Sequence, residues 1–324
     1  MGRPALLPGR RRSARAAQVA PLHSPTVAGP ARTPLRYLDG DDVRAAMPGL
    51  PERLRLAELT MRALVADAEL PPKIGVHPRP SGSFAHAMPA LLRGADPDGR
   101  DDRLGMKWVL GGFVGNAALG VPAIHGTVLL NDPRSGVPTA ILDAGPITAE
   151  RTAAVSGVVI RAWAPPLTGR ATTVAIVGAG TQAHSHLPVV GHVLPGCRVV
   201  LFDRHPERAE ALADAARDTP GVAGAGVART AREAVASADV VITVASFTSP
   251  DRRQVMTVDW LGPDALVVPV DYATYCSAEV ARTAALFVVD DRPQFLANRD
   301  AGNFDGYPDP SATIGEALIA GTPR

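Results

Sequence analysis

The residues best placed to do chemistry are Gly178-Ala179-Gly180-Thr181-Gln182-Ala183, a glycine turn between the apolar run Val174 to Val177 and a helical stretch. Strand, turn, helix, strand and terminal acid follow one another over about thirty residues, the order that a dinucleotide-binding βαβ unit requires. Gly178 permits the tight turn, and Gly180 lets backbone approach a pyrophosphate at the helix N-terminus beside Thr181 and Gln182. Ala183 is small enough for helix and strand to pack closely. Asp203 ends the next strand, Arg198 to Phe202, where a carboxylate can accept both ribose hydroxyls and repel a 2′-phosphate. NAD is therefore the expected cofactor. Arg204, directly after it, can serve a phosphate, so NADP stays open. Thr243 and Ser246, behind a later strand, are expected to touch the cofactor ribose.

The lysines form a second signal. Of 33 basic residues only two, Lys73 and Lys107, are lysine, and the rest are arginine. A chain that has replaced lysine so widely keeps it either where a compact ammonium matters or by chance on a solvated face. His184, His186 and His192 share one helix, but no matching set of acids or cysteines accompanies them, so no metal is expected. Cys197 and Cys276 are too few for a disulfide framework, which suits a reduced, cytoplasmic setting.

A chain of 324 residues with 46% hydrophobic content can build about two cores. The near balance of 33 basic and 32 acidic residues implies neither nucleic acid nor an anionic membrane as a partner. No apolar run reaches the ~18 residues of a membrane span. Residues 1–33 hold six arginines and no acid among many Pro and Ala, and read as a disordered tail, with a transit-like or phosphate-binding arm as the alternative.

From Leu35 the pattern becomes foldable. L-R-Y-L is strand-like, Asp41 can cap a short helix, and Pro51 to Ala66 reads as an amphipathic helix carrying Leu54, Ala57, Met61, Leu64 and Val65 on one side. Short segments follow around Lys73 to Val76, Ser83 to Met88 and Lys107 to Leu110, in a domain expected to hold mainly antiparallel strands. Ile124 to Leu130 and Thr139 to Leu142 should pair around N-D-P-R-S-G. Thr148 should open a connecting helix that ends before Pro165. Beyond Asp203, a helix from Pro206, a strand at Val222 to Val227 and a capping box at Thr230 to Glu233 continue the alternation, with Pro188 expected to kink the first helix. Strands at Val240 to Val244, Ala265 to Val270 and Leu286 to Val289 should bring the parallel strands to about six. The expected fold is α/β: a doubly wound parallel-sheet Rossmann domain over 148–315 and a smaller α+β substrate and dimerisation domain over 34–147, with 316–324 as a shortened C-terminal segment.

The stretches P-P-K at 71–73, A-M-P-A at 87–90, G-M-K-W-V at 105–109, H-G-T-V-L-L at 125–130 and I-T-A-E-R-T-A-A-V-S at 147–156, together with G-A-G-T-Q-A, resemble the ornithine cyclodeaminase/mu-crystallin family. The likeness runs from about Leu35 to Gly321. It implies a dimer, likewise NAD(P), and chemistry in the cleft between the two domains. It also implies that Lys107 and Arg151 hold a substrate α-carboxylate, with Lys73 serving the same anion. Asp271 stands where cyclodeaminases use an aspartate as acid and base, although P-V-D-Y-A-T-Y replaces that subgroup's G-G-D-C-P; a turn or cap carboxylate is the other reading. His86 occupies a position where ornithine-specific members place glutamate, and either lines the pocket or sits hydrogen-bonded in the core. Relatives typically run on past the equivalent of Arg324 and pack that extension on the first domain, so apolar surface is expected to lie uncovered there unless a partner subunit covers it.

The resemblance thus implies hydride transfer at the α-carbon of an amino acid or of its cyclic or open imine. True ornithine cyclodeaminase, with NAD recycled within the turnover, is one alternative. A non-catalytic, crystallin-like nucleotide binder is the other.

Overall fold

The computed structural model describes residues 34–79, 82–113, 115–116, 118–166 and 169–324; the Arg-rich stretch 1–33 lies outside them. In chain order the first half comprises β1 (Arg36–Leu38), α1 (Gly40–Ala46), α2 (Leu50–Ala63), β2 (Ala68–Glu69), β3 (Ile74–Val76), β4 (Phe84–Leu92), β5 (Arg103–Gly111), β6 (Ile124–Asn131), β7 (Pro138–Asp143) and α3 (Ala144–Trp163). The second half comprises β8 (Thr173–Val177), α4 (Thr181–Val193), β9 (Cys197–Phe202), α5 (Pro206–Arg217), β10 (Val222–Val227), α6 (Ala231–Val235), β11 (Val240–Thr243), β12 (Leu266–Pro269), α7 (Ala278–Thr283), β13 (Val288–Val289), α8 (Arg292–Asp300), β14 (Ala312–Thr313) and α9 (Ile314–Ala320).

The first sheet has the order β1-β7-β6-β5-β4-β2, with β3 also on β4, and is antiparallel except where β1 meets β7. Its β6–β7 turn is built by Asp132, whose Oδ1 accepts from the N–H groups of Arg134 and Ser135 while Gly136 takes φ 74°. The second sheet, β10-β9-β8-β11-β12, is wholly parallel. Its central strands are buried on both sides, as parallel strands under helices must be: Val174 and Ile176 face a core with Ile160, Leu187 and Leu201, while Ala175 and Val177 face another with Val235 and Met256.

Several elements differ from what their local sequence favours. The expected sixth strand, Leu286 to Val289, does not join the parallel sheet; Val288 and Val289 pair with Ala312 and Thr313 in a separate ribbon. A four-residue apolar run carries no record of its partner, and only the fold decides it. The first helix is capped by Asp39 rather than Asp41, in a box closed by Asp42. The connecting helix starts at Ala144 rather than Thr148, because Asp143, the last residue of β7, caps it directly through the Gly145 N–H. At α6 half of the expected box forms: Thr230 accepts from the Glu233 N–H, but the Glu233 carboxylate takes the Arg229 N–H instead. Pro188 lies inside α4, which continues to Val193.

Helix α3 joins the two sheets. Ala144 at its start packs over Gly126 of β6, while Ile160 and Trp163 near its end lie in the parallel-sheet core. The last helix, α9, returns to α2, where Arg62 Nη1 donates to Leu318 O at 3.1 Å, and the residues after it reach the end of α3, where Trp163 Nε1 donates to Thr322 O at 3.1 Å. Gly315 makes this approach possible, since a Cβ there would stand 2.0 Å from Met61 O. Gly315→Ala should therefore lower the thermal midpoint by several degrees, an overpacking cost of ~1–3 kcal/mol. Gly262→Ala, whose Cβ would meet open space, should leave it unchanged, and thermal melts of the two variants check this.

Candidate active site

The glycine turn sits at the carboxyl end of β8. Gly178 has φ 111°, and a Cβ on it would lie 2.7 Å from Val244 O, so only glycine fits between the β8 and β11 ends. Gly180 is the N-cap of α4 without a side-chain cap, and a Cβ on it would meet nothing within 4 Å. The first-turn N–H groups of α4, those of Thr181 and Gln182 among them, thus border open space, the arrangement in which a helix N-terminus holds phosphate. Thr181 is exposed and Gln182 half-buried, its Oε1 enclosed without a hydrogen-bond partner among the described residues. Asp203 accepts from Ala179 N at 2.8 Å and from His205 N at 2.9 Å, which ties the glycine turn to the end of β9 and leaves lone pairs for ribose hydroxyls. Arg204 beside it is exposed. These residues fit a dinucleotide.

Thr243 does not meet the expectation placed on it. It is fully buried, and its hydroxyl donates to Asp271 Oδ1 at 2.8 Å, so the side chain belongs to the floor beneath the cleft. Ser246, three residues on, is exposed. Asp271 Oδ2 accepts from Ala245 N at 3.1 Å, so this carboxylate staples the loop after β12 to the loop after β11. Of its two readings the geometry matches the turn carboxylate, because the side chain is buried and each oxygen accepts from the loop after β11 or the end of that strand. Burial pushes its pKa up to about 7 despite these two donors.

On the other wall, the alternation of β4 and β5 sets side chains from both strands on one face. Met88 pairs with Lys107 and His86 with Val109, and this face is the one covered by α3, where Gly126 meets Ala144. Lys107 is partly buried, and its pKa falls to about 8, first through desolvation and then through the neighbouring charges of Arg151 and Lys73. Arg151, on the second turn of α3, keeps an open side toward solvent yet is surrounded deeply enough that desolvation lowers its pKa; Asp290 and Tyr272 oppose that shift. Arg151 thus borders solvent on one side while protein surrounds it on the others. Lys73 Nζ donates to Tyr272 Oη at 3.1 Å, and its backbone N–H donates to Gln294 Oε1 at 3.0 Å. Among the described residues, the side chains of Lys107 and Arg151 have neither a hydrogen bond nor an ion pair.

His86 stacks on Phe84 with ring centroids 4.7 Å apart and lies so close to Gly75 that a Cβ there would come within 2.7 Å of it. Desolvation first, then Lys73 and His77, lower its pKa and keep it neutral. The helix histidines separate: His186 is buried between Gln182 O at 2.6 Å and Ser156 Oγ at 2.9 Å, with desolvation lowering its pKa to about 4, while His184 and His192 are exposed. Residues beyond the expected set also reach the cleft, chiefly Tyr272 and Asp290. Asp290 follows the apolar pair of β13, a strand-end position like that of Asp203, and that was its only trace in the sequence. A separate cavity of about 500 Å³ lies at the amino ends of β11 and β12, beside the Arg170–Asp239 ion pair and away from the glycine turn.

Comparison with known proteins agrees with this architecture. Residues 50–316 match the ornithine cyclodeaminase/mu-crystallin family. Nodulation efficiency protein NfeD of Rhizobium meliloti is 32% identical over 82% of this chain and 77% of its own length. Ketimine reductase mu-crystallin of Mus musculus is 31% identical over 65% of this chain and 64% of its own length. Delta(1)-pyrroline-2-carboxylate reductase of Thermococcus litoralis, solved in complex with NADH and L-proline, shares the fold with a TM-score of 0.74 at 24% identity, covering 88% of this chain and 86% of that one.

The raised pKa of Asp271 carries a sign. The carboxyl binds its proton more tightly in the folded than in the unfolded chain, so its own contribution to stability should be fully present below ~4 and be lost as pH rises toward about 7. Asp271→Asn should lack this component, and thermal melts of both proteins between pH 4 and 8 measure it.

Proposed function

The chain belongs to the ornithine cyclodeaminase/mu-crystallin family, and we propose that it is an NAD(H)-dependent oxidoreductase acting at the α-carbon of an amino acid or of its imine. The observation that carries this reading is the group formed by Lys107, Arg151 and Lys73. Three cations share one cleft, two of them without a partner among the described residues, and the cleft is edged by a strand-end loop of the dinucleotide-binding half. Such a group demands an anion, and an α-carboxylate supplies it. Fixed at two or more points, the carboxylate brings the α-carbon to one position instead of many. The reduced nicotinamide, when bound, supplies hydride. An imine whose nitrogen is already protonated needs no acid from the protein, which suits a site where the Asp271 oxygens face inward. The proposed activity is of the kind that the names ketimine reductase and pyrroline-2-carboxylate reductase give for similar proteins.

Asp203 favours NADH over NADPH, since a 2′-phosphate would meet its charge. Ornithine cyclodeamination is the weaker reading. A neutral His86 beside Lys73 offers no negative charge to a second substrate ammonium.

NADH oxidation with cyclic imines and with α-keto acids plus amines, run beside ornithine-dependent ammonia release, tests the assignment. Net NADH consumption is expected, with NADPH slower, and ammonia from ornithine without net reduction would overturn it. Lys107→Ala should cost ~1.5–3 kcal/mol, about 10- to 150-fold in kcat/KM. In the wild type kcat/KM should fall as pH passes about 8, where Lys107 loses its proton, and Lys107→Arg should move that limb upward.

The outer face of the first sheet supports a homodimer. Tyr37, Ile74, Val76 and Trp108 are exposed there, and the strand register joins them through Ile141, Leu129, Met106 and Ala87 into one apolar row. A continuous patch of this kind marks an association surface. Sedimentation should show a dimer that Trp108→Glu converts to a monomer.

A further inference from the structure

Tyr272 is held in a conformation that its residue type disfavours. Its φ is 57°, in the left-handed region that costs a bulky side chain on the order of 1 kcal/mol or more. The surroundings impose it. The peptide before it is fixed by the Asp271 carboxylate on Thr243 and Ala245 and by Asp271 O, which accepts from Thr274 N at 3.2 Å and Thr274 Oγ1 at 2.8 Å. The residue after it is held through its own carbonyl, Ala273 O, which accepts from Gln254 N at 3.0 Å. The ring is then seated between Phe304, stacked at 5.5 Å, and Phe247, edge-on at 5.5 Å. These contacts carry the phenol out of the parallel-sheet half to Lys73 on the opposite wall.

The hydroxyl's bonding is decided by its neighbours' chemistry. An ammonium has donors and no acceptor, so in the 3.1 Å contact Lys73 donates and Tyr272 Oη accepts. The phenolic hydrogen remains to be given elsewhere, and Tyr272 Oη has no other hydrogen-bond partner among the described residues. Arg151, within electrostatic reach of Tyr272, cannot accept it either. Lys107 in turn feels both Arg151 and Lys73. Lys107, Lys73, Tyr272 and Arg151 are thus linked by one hydrogen bond and by their mutual electrostatic influence, and Asp290, which acts on Arg151, makes no hydrogen bond to any of them among the described residues.

We propose that Tyr272 is a substrate-positioning residue, its hydroxyl the fourth donor to the substrate carboxylate alongside Lys107, Arg151 and Lys73. The assignment rests on the carboxylate reading above and adds a donor from the dinucleotide-binding half. The substrate anion then bridges both halves of the protein. Tyr272 lies directly after Asp271, so the staple between the β11 and β12 loops also sets where the carboxylate sits.

The test is calorimetric titration of the NAD⁺-loaded full-length protein with pyrrole-2-carboxylate, a planar carboxylate beside a ring N–H, and with its uncharged methyl ester. Tyr272→Phe keeps the ring and its stacking. It should weaken binding of the carboxylate about 10- to 100-fold, leave the ester and the thermal midpoint unchanged, and raise KM in imine reduction far more than it lowers kcat. Tyr272→Gly, which suits φ 57° without strain, should show the same loss. Unchanged affinity in both Tyr272 variants, with binding lost in Lys107→Ala, would overturn the role of Tyr272 and leave the proposed function standing. A kcat that collapses at unchanged affinity would equally overturn it, in favour of proton transfer. Affinity insensitive to Lys107→Ala, or a wild type that binds no carboxylate, would overturn the carboxylate reading and this inference together.

Discussion

The structure depends on a cost that its fold must bear: Lys107, Arg151 and Lys73 are brought together in one cleft against their mutual repulsion. Desolvation adds to that cost for Lys107 and Arg151, and both lose some of their affinity for a proton as a result. Asp290 beside Arg151 and the Tyr272 hydroxyl on Lys73 offset part of that cost. Lys107 is carried by β5, Arg151 by α3 and Lys73 by the approach to β3, and it is the antiparallel sheet packed on α3 that keeps them from separating. In the proposed function a substrate carboxylate relieves this repulsion, and the binding energy so released favours one orientation of the substrate.

Carboxylates perform the complementary task on the dinucleotide side. Asp203 and Asp271 both follow strands of the parallel sheet, and both bind backbone N–H groups of a neighbouring loop, Ala179 in one case and Ala245 in the other. Each ties one strand-end loop to the next. The glycine turn, the loop after β11 and the loop carrying Tyr272 are thereby held as a set. Asp271 is the more buried of the two, and its proton affinity rises accordingly. The same residue reads from sequence as an acid or base and from structure as a staple, because an isolated aspartate after a strand fits both until its partners are known.

Much of the architecture was legible because its signals are local. The β-branched run before Gly178, the glycine spacing and the strand-terminal acid specify the βαβ unit within about thirty residues. The scarcity of lysine marked Lys73 and Lys107, and the structure sets both on the same side of one cleft. Helix starts were less legible: Asp39 and Asp143 took the caps expected of residues a few positions later, since several capping residues stand close together and only the chain path selects among them. Val288 and Val289 were legible as extended, but their partners Ala312 and Thr313 were not.

By itself, the sequence determined most of the helical and extended segments up to about Val270, the glycine turn, and the chemical types available to a site: cations, a strand-end carboxylate and a histidine. Only the tertiary structure decided which of these groups face one another. It buried Thr243 under Asp271, turned the Asp271 oxygens inward, and brought Tyr272 across to Lys73, 199 residues away in the chain. The physical reason is that a side chain's role depends on its hydrogen-bond partners and its desolvation, both set by distant segments through packing. Residue type and spacing record what a group can donate or accept; the fold alone records to whom.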